Sequence, residues 1–435
     1  MTAALGQRRI QGRLHLDPWL VVALVLGLVL VGLVLIPQVW LVRASLLAPD
    51  GQTVTLVNLA RFFTLARYRN ALLNSVVVSL LTTVLACLAA VPLAFAHARY
   101  RLPGQQTLLT LATMATVSPP FLGAYVWMML LGWSGWVSVG LRSIGIPFES
   151  IVGLPGIVWV GTWGSFGLVF LLAHDAFSNM DPSLEEAAMS VGASRLRTYL
   201  QISLPLATPA LLTAAYMVAM GAFSDFGTPK IIGGEVRVLP VLIYNEFLSE
   251  VATNPSMASA GSIIMIAISS GLLVLQRAFL ARRSYALSGV HRAVRRPVSR
   301  WLGALAMLWT AIVFLIVFAP HLVMTALSLV PWQSGIPQRG LTLANYRDLL
   351  QHSLQPVGVS YLLSIVSSLL DVVVGVMLAY IVVRKSYRVL APALSGMVMV
   401  PYVISGTVLA IGLIMTFNRR PLLLTGTGVI LCLSY

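Results

Sequence analysis

The sequence predicts an all-α polytopic transmembrane bundle of two parallel six-span repeats, the second truncated, with about ten spans present. Three observations predict it. Of 435 residues, 58% are apolar and only 9% charged, with a mean hydropathy of +0.90; a soluble domain carries about 25% charged residues. Nine stretches meet the length of about 20 apolar residues that a membrane-crossing helix needs, at roughly 19–41, 72–97, 106–131, 155–174, 208–229, 258–280, 302–329, 358–383 and 390–416. A tenth starts near Leu422 and is cut by the end of the chain. Finally, the chain aligns with itself.

At an offset of 285, Ser75 falls on Ser360, Ser79 on Ser364, Ala94 on Ala379, Phe95 on Tyr380 and Arg99 on Arg384. Upstream, Leu56-Val57-Asn58 falls on Leu343-Ala344-Asn345, and downstream Pro119 falls on Pro401 and Gly156 on Gly428. One apolar helix imitates another by composition, but this serial order is not an accident of composition. Six spans precede the connector, an even number, so both halves enter the membrane in the same direction, a transporter architecture with solute passing near the repeat interface. The expected organisation is a first permease repeat at 1–280 with its six helices, a cytoplasmic basic linker at 281–301 and an incomplete second repeat at 302–435.

Each span is justified by what flanks it. The first lacks a small-residue cleavage site and is too long for a removed signal peptide, so it reads as a retained anchor. Cytoplasmic segments carry the excess of Lys and Arg; an inside N-terminus puts Arg8, Arg9 and Arg13 there, with Arg99, Arg101, Arg195, Arg197, Arg384, Lys385 and Arg388. The densest cluster decides the orientation: Arg277, Arg282, Arg283, Arg292, Arg295, Arg296 and Arg300 crowd the linker. The net charge of +15 therefore reads as topology rather than as a nucleic-acid surface, and no nucleic-acid partner is expected. Pro119-Pro120 and Pro401 interrupt the third and ninth spans at matching places; proline removes a backbone donor and kinks a helix, and such breaks fit a packing kink and a bend lining a water-filled gate equally well.

Between the fourth and fifth spans, at 181–205, lies a polar segment with its own punctuation. Asp181 suits an N-cap, Pro182 a first helical position, and Glu185 and Glu186 the positive end of the dipole. Gly192 suits the left-handed residue that ends a helix. Ser194 then caps a second short helix running to about Leu204, where Pro205 stops it, and Thr208-Pro209 restarts the chain as the fifth span. Two short helices at an angle across the cytoplasmic mouth are the expected product.

Glu186-Ala187-Ala188, three residues, Gly192, nine residues and then Ile202-x-Leu204-Pro205 resembles the EAA loop of the inner-membrane permeases of binding-protein-dependent ABC importers. The resemblance implies that Glu186, Ala187, Ala188, Gly192, Ile202, Leu204 and Pro205 form a coupling element that docks on ATPase subunits. The doubled architecture, Ser224-Asp225-Phe226-Gly227-Thr228-Pro229 and Asn345-Tyr346 resemble the fused ferric-iron type of permease. That resemblance implies a bacterial inner-membrane, multi-pass permease taking ferric iron from a periplasmic binding protein, with 2-aminoethylphosphonate or another small solute as the alternative cargo. At the offset of 272, the counterpart of Glu186 falls at about position 458, past Tyr435, which favours truncation.

No cofactor is expected in this chain itself. A phosphate-binding loop needs G-x-x-x-x-G-K-[ST], and the only lysines, Lys230 and Lys385, follow Pro229 and Arg384. ATP would be bound by partner subunits. No catalytic constellation and no His/Cys/Asp/Glu set at metal-ligand spacing is present in the sequence, so no enzyme activity and no resident metal are expected. Cys87 and Cys432 sit in apolar runs and read as small hydrophobes. Ionisable residues within spans are costly, which makes Asp371, mid-span among Leu370, Val372 and Val373, and Asp225, near the outer end of the fifth span, translocation-path candidates together with Pro119, Pro120 and Pro401. An ion-coupled secondary transporter is the competing class; it predicts paired intramembrane carboxylates, whereas the repeat partner of Asp371 is Ala86. The loops at 43–70, 226–257 and 331–357 are the expected surface for the binding protein.

Overall fold

Long apolar runs form helices here until a proline or glycine forces an exit. In the computed structural model, the described residues are 17–48, 52–248, 254–282, 296–334, 336–401, 403–418, 420 and 423–434. The basic residues Arg8, Arg9, Arg13, Arg283, Arg292 and Arg295, and the start of the tenth stretch at Leu422, lie outside them.

The helices are α1 (Pro18–Leu30), α2 (Ile36–Ser45), α3 (Val57–Thr64), α4 (Ala66–Arg99), α5 (Gln105–Val117), α6 (Pro120–Leu131), α7 (Trp136–Ser143), α8 (Leu154–Ser178), α9 (Ser183–Ser190) and α10 (Arg195–Thr198). They continue with α11 (Leu204–Ser224), α12 (Gly227–Ile232), α13 (Leu239–Leu248), α14 (Pro255–Ala281) and α15 (Arg300–Ser328). A two-stranded antiparallel ribbon, β1 (Trp332–Gln333) and β2 (Ile336–Pro337), follows. The chain then forms α16 (Ala344–His352), α17 (Leu354–Tyr380), α18 (Leu390–Met399), α19 (Gly406–Phe417) and α20 (Gly428–Ser434). A π-turn at Val31–Leu35 joins α1 to α2, so Pro18–Ser45 is one continuous helix.

Among the described residues, eight helices are long and apolar enough to span a membrane, including Phe121–Ser143 through α6 and α7. Two of the nine expected stretches are broken rather than continuous. The third stretch is not one helix, because Ser118 and Pro119 adopt extended backbone between α5 and α6. The ninth is likewise split into α18 and α19, of 10 and 12 residues. Both breaks fall at the prolines that the sequence singled out, Pro119-Pro120 and Pro401.

The described chain divides into two compact units. The larger, from Leu41 to Pro356 with a short stretch near Val408, is built on α4, which packs against α8 and α11. Its core is aromatic: Phe166, Phe170 and Phe177 on one face of α8 are completely buried. Small residues let the helices close. A Cβ on Gly161 of α8 would sit 3.0 Å from the Thr82 methyl of α4. The span α15 packs on α4, α6 and α8 within this unit, with His97 Nε2 of α4 2.9 Å from Thr310 Oγ1 of α15 in a buried hydrogen bond. The smaller unit holds α1, α17 and α18, packed around Ala23, Leu378, Ile381 and Leu394. Its edge is closed by Trp19 against Tyr380, ring centroids 4.4 Å apart.

One joint in the larger unit is built twice. Asn58 Nδ2 donates to the carbonyls of Ser45 and Leu47 at 3.1 and 2.7 Å. Asn345 Nδ2 donates to those of Ser328 and Val330 at 2.9 and 2.8 Å. Thr55 N–H donates to Leu46 O, and Thr342 N–H to Leu329 O, each at 2.7 Å. The Val57 N–H then caps on Thr55 Oγ1 and the Ala344 N–H on Thr342 Oγ1. In both places an asparagine satisfies the orphan carbonyls that a helix leaves at its C-terminus, and the chain re-enters a short helix before the long span.

Candidate functional site: a polar loop anchored by a buried ion pair

The segment 181–205 folds close to its local rules. Asp181 Oδ1 accepts the Ser183 N–H at 2.9 Å, so α9 starts one residue after the expected position. The helix ends where Gly192 takes φ +90. The Ala193 N–H donates to Ala188 O and the Gly192 N–H to Met189 O, each at 3.1 Å, the paired bonds of a left-handed helix cap. Ser194 Oγ then accepts the Arg197 N–H at 3.3 Å and starts α10.

From there the structure corrects the expectation. Pro205 does not stop the second helix, and Thr208-Pro209 does not restart it: Arg195–Ser224 is one continuous helix. A π-turn at Tyr199–Ser203 precedes Pro205, and the widened turn accommodates a ring that would otherwise collide with the carbonyl four residues back. The loop therefore feeds directly into the fifth span.

What holds the loop in place is Glu185. Its side chain is 7% exposed, with Oε1 2.9 Å from Arg99 Nη2 at the end of α4, whose side chain is 5% exposed. Ser203 Oγ in the π-turn donates to the same Oε1 at 2.8 Å. Arg99 Nη1 also reaches Met180 O at 3.4 Å. Buried charges persist only when paired and hydrogen-bonded, and this set binds α4, α9 and the start of α11 into one corner. Glu186, next along α9, points outward with its side chain 64% exposed and meets Arg296 Nη2 at 3.3 Å.

The family positions divide accordingly. Glu186, Ala187, Gly192 and Pro205 are exposed, while Ala188, Ile202 and Leu204 are half-buried. Large apolar side chains join the exposed group: Val191 is 85% exposed and Leu196 68%, with Leu184 and Leu200 beside them. In the sequence Arg99 and Arg296 stand out only as topology charges and Glu185 only as a dipole residue, and Ser203 does not stand out at all. The signal available for pairing Arg99 with Glu185 was an acidic residue and an arginine, each bordering an apolar run on the same side of the membrane.

The path candidates do not converge on one site. Asp225 Oδ1 accepts the Thr228 N–H at 3.2 Å and caps α12. Asp371 is exposed on α17 and, among the described residues, has neither a hydrogen bond nor an ion pair. Pro119 lines a small cavity with Trp127, Trp163, Pro320 and His321, Pro120 begins α6, and Pro401 is exposed in the break before α19. Much of 226–257 is not free loop: α13 buries Leu239, Leu242, Ile243 and Glu246. Among the described residues no cluster of His, Cys, Asp and Glu could hold a metal ion.

The described residues thus form a multi-pass helical bundle whose loop at 181–205 is tied to α4 and runs directly into α11. Residues 83–285 match the model of the family described as binding-protein-dependent transport system inner membrane component. The chain is 29% identical over 332 residues to a putative ferric transport system permease of Haemophilus influenzae, covering 73% of this chain and 51% of the relative. The ferric transport system permease of Actinobacillus pleuropneumoniae is also 29% identical over 332 residues, with 47% of its length covered. The chain thus spans about half the length of these curated relatives. A probable molybdenum ABC transporter permease of Haloferax volcanii is 29% identical over 206 residues, 47% of this chain and 73% of that protein. Among solved structures, a bacterial ABC transporter involved in alginate import superposes with a TM-score of 0.50 at 17% identity, over 61% of this chain and 96% of that one. That likeness concerns the fold.

Proposed function

We propose that this chain is a membrane-spanning permease subunit of an ATP-driven importer, not itself an enzyme, and that it takes a solute from a periplasmic binding protein. ATP is bound by separate ABC ATPase subunits that grip the loop at 181–205 from the cytoplasm. The carrying observation is the loop itself: a short helix with exposed Glu186, Ala187, Val191 and Leu196, rooted through Glu185 and Arg99 in the membrane helices. Alternating access requires that the loaded binding protein and ATP each favour a different conformation, and a rigidly anchored loop transmits that bias.

Ferric iron is the proposed cargo, supported by the two ferric permeases among the relatives; the molybdenum permease marks another metal-derived solute as the nearest alternative. The repeated Asn58 and Asn345 joints support reading the chain as two permease halves, 1–280 and 302–435, joined by the linker at 281–301.

The test is reconstitution with the cognate ATPase and binding protein. Ferric-loaded binding protein is expected to drive ATP-dependent iron uptake, and molybdate-loaded protein is not. Absence of ATP-dependent uptake for any receptor-delivered solute overturns the importer reading. Gly192→Val sharpens it: no atom lies within 4 Å of the added Cβ, but the left-handed backbone costs a β-branched residue about 1–2 kcal/mol. Uptake is expected to fall while ATP hydrolysis and membrane insertion persist.

A further inference from the structure

Arg296, at the far side of the linker, is tied to the coupling corner by its backbone and by its side chain. Its N–H donates to Arg99 O at 2.9 Å and its carbonyl accepts the Arg101 N–H at 3.0 Å. Tyr100 and Arg296 therefore run side by side as a short parallel bridge. Its guanidinium crosses to α9, with Nη2 3.3 Å from Glu186 Oε1 and Nη1 donating to Met189 Sδ at 3.7 Å. Four residues further on, α15 starts at Arg300, capped by Ser299 Oγ accepting the Leu302 N–H at 3.4 Å.

Two consecutive glutamates of the loop are thus held by two arginines of different origin. Arg99 belongs to α4 and locks Glu185 in the interior, whereas Arg296 belongs to the lead-in of α15 and holds Glu186 at the surface. The helix α11 follows the loop continuously and needs no link to feel its movement. The span α15 is about 100 residues away in sequence, and Arg296 supplies the side-chain connection.

We propose that Arg296 is a positioning residue that couples the docking loop to α15, so that one displacement of α9 is delivered to the fifth span and to the first span beyond the linker. This rests on the importer reading above. The pair is too exposed to matter much for folding, since ion pairs of this kind contribute little to stability. Its loss should appear in coupling.

The experiment compares wild type with Arg296→Ala, Arg296→Lys, Arg296→Glu, Glu186→Arg and the charge-exchanged double variant Glu186→Arg/Arg296→Glu, each in the reconstituted complex with ATPase and binding protein. Solute moved per ATP hydrolysed is the readout, with retained ATPase subunit measured on the same preparations. Arg296→Ala and Arg296→Glu are expected to lower solute per ATP by about two- to fivefold, the scale of one such pair. Arg296→Lys and the double variant should recover part of it, which a merely structural role would not do. An unchanged ratio in Arg296→Ala, or a double variant no better than Arg296→Glu alone, overturns the proposal while leaving the importer reading intact. A wild-type complex with no ATP-driven transport overturns both. Should Arg296→Ala fail to insert, the comparison of the double variant with Arg296→Lys decides.

Discussion

The helices α4 and α17 begin from the same joint and carry matching residues at an offset of 285, yet they end in opposite surroundings. In α4, Ser75 accepts the Leu239 N–H and Ser79 donates to Ala219 O, each at 2.7 Å, and Thr82, Ala86 and Ala90 are completely buried. At the matching positions of α17, Ser360, Ser364, Asp371 and Gly375 are exposed, and Ser367 alone is buried. The difference lies in the partners. Two helices, α8 and α11, lie along α4, while the contacts of α17 in its own unit gather around Leu378, Ile381 and Leu394 near its end. Local pattern therefore dictates that both segments become helices, and only the packed neighbours dictate which face is interior.

The sharpest break of that comparison is to exchange what differs. Ala86→Asp places a carboxylate at a fully buried position with no partner, which costs several kcal/mol. Loss of properly inserted protein, measured by protease protection, is the expected outcome. Asp371→Ala removes a carboxylate from an exposed position and should leave folding unchanged or improve insertion, by up to about 2.5–3.5 kcal/mol where the residue meets lipid. A tolerated Ala86→Asp would show that the face of α4 is less tightly packed than its neighbours indicate.

Next in size is the pair Arg99 and Arg384, aligned in the sequence. Arg99→Ala strands a buried Glu185, and removal of one partner of a buried pair costs about 3–5 kcal/mol. Arg384 is exposed, so Arg384→Ala should stay within about 0.5 kcal/mol. Thermal unfolding in detergent, followed on the two variants in parallel, checks the ratio. Replacing Arg99 and Glu185 together by apolar residues of similar volume should recover much of the loss.

A finer version uses the two asparagines, whose hydrogen bonds are the same but whose burial is not. Asn58 is 2% exposed and Asn345 is half-buried. Asn58→Ala leaves two carbonyls unpaired in the interior and should cost about 1–3 kcal/mol. Asn345→Ala should cost less, because water can reach the Ser328 and Val330 carbonyls. Equal losses would mean that both joints are equally dry.

How much of this was legible in the sequence follows from the range of each interaction. The loop was readable because its caps are local: Asp181, Gly192 and Ser194 each act within five residues. So were the breaks at Pro119 and Pro401, since proline acts on its own turn. The fate of Pro205 was not, because a π-turn absorbed it and nothing within that stretch distinguishes a π-turn from a helix end. Glu185 reads locally as a dipole residue, one of two adjacent acids, and its burial depends on Arg99 in a span 86 positions earlier. Thr55 and Thr342 belong to the repeated joint but were overlooked beside Asn58 and Asn345, their role being a backbone cap two residues ahead.

The smallest effect separates α1 from α15 by their caps. The span α15 is capped by Ser299, whose hydroxyl does not titrate, but α1 is capped by Asp17, which accepts the Trp19 N–H at 3.1 Å. Lys385 Nζ and Tyr387 Oη also donate to Asp17 Oδ2, each at 2.8 Å. These donors, the lysine first, hold the Asp17 carboxyl below its usual value of 3.8. A group depressed in the folded state stabilises it fully above the unfolded value and loses that contribution as pH falls through the folded one. Protection of the α1 amides, taken relative to the intrinsic exchange rate at each pH, should therefore fall below about pH 4, while the start of α15 keeps its protection over the same interval. Asp17→Asn retains the capping oxygen and removes the charge; it should abolish the acid response of α1 and leave its exchange near neutrality only slightly faster. An acid response that survives in Asp17→Asn would assign the titration to another group and remove Asp17 as the source of the contrast between the two caps.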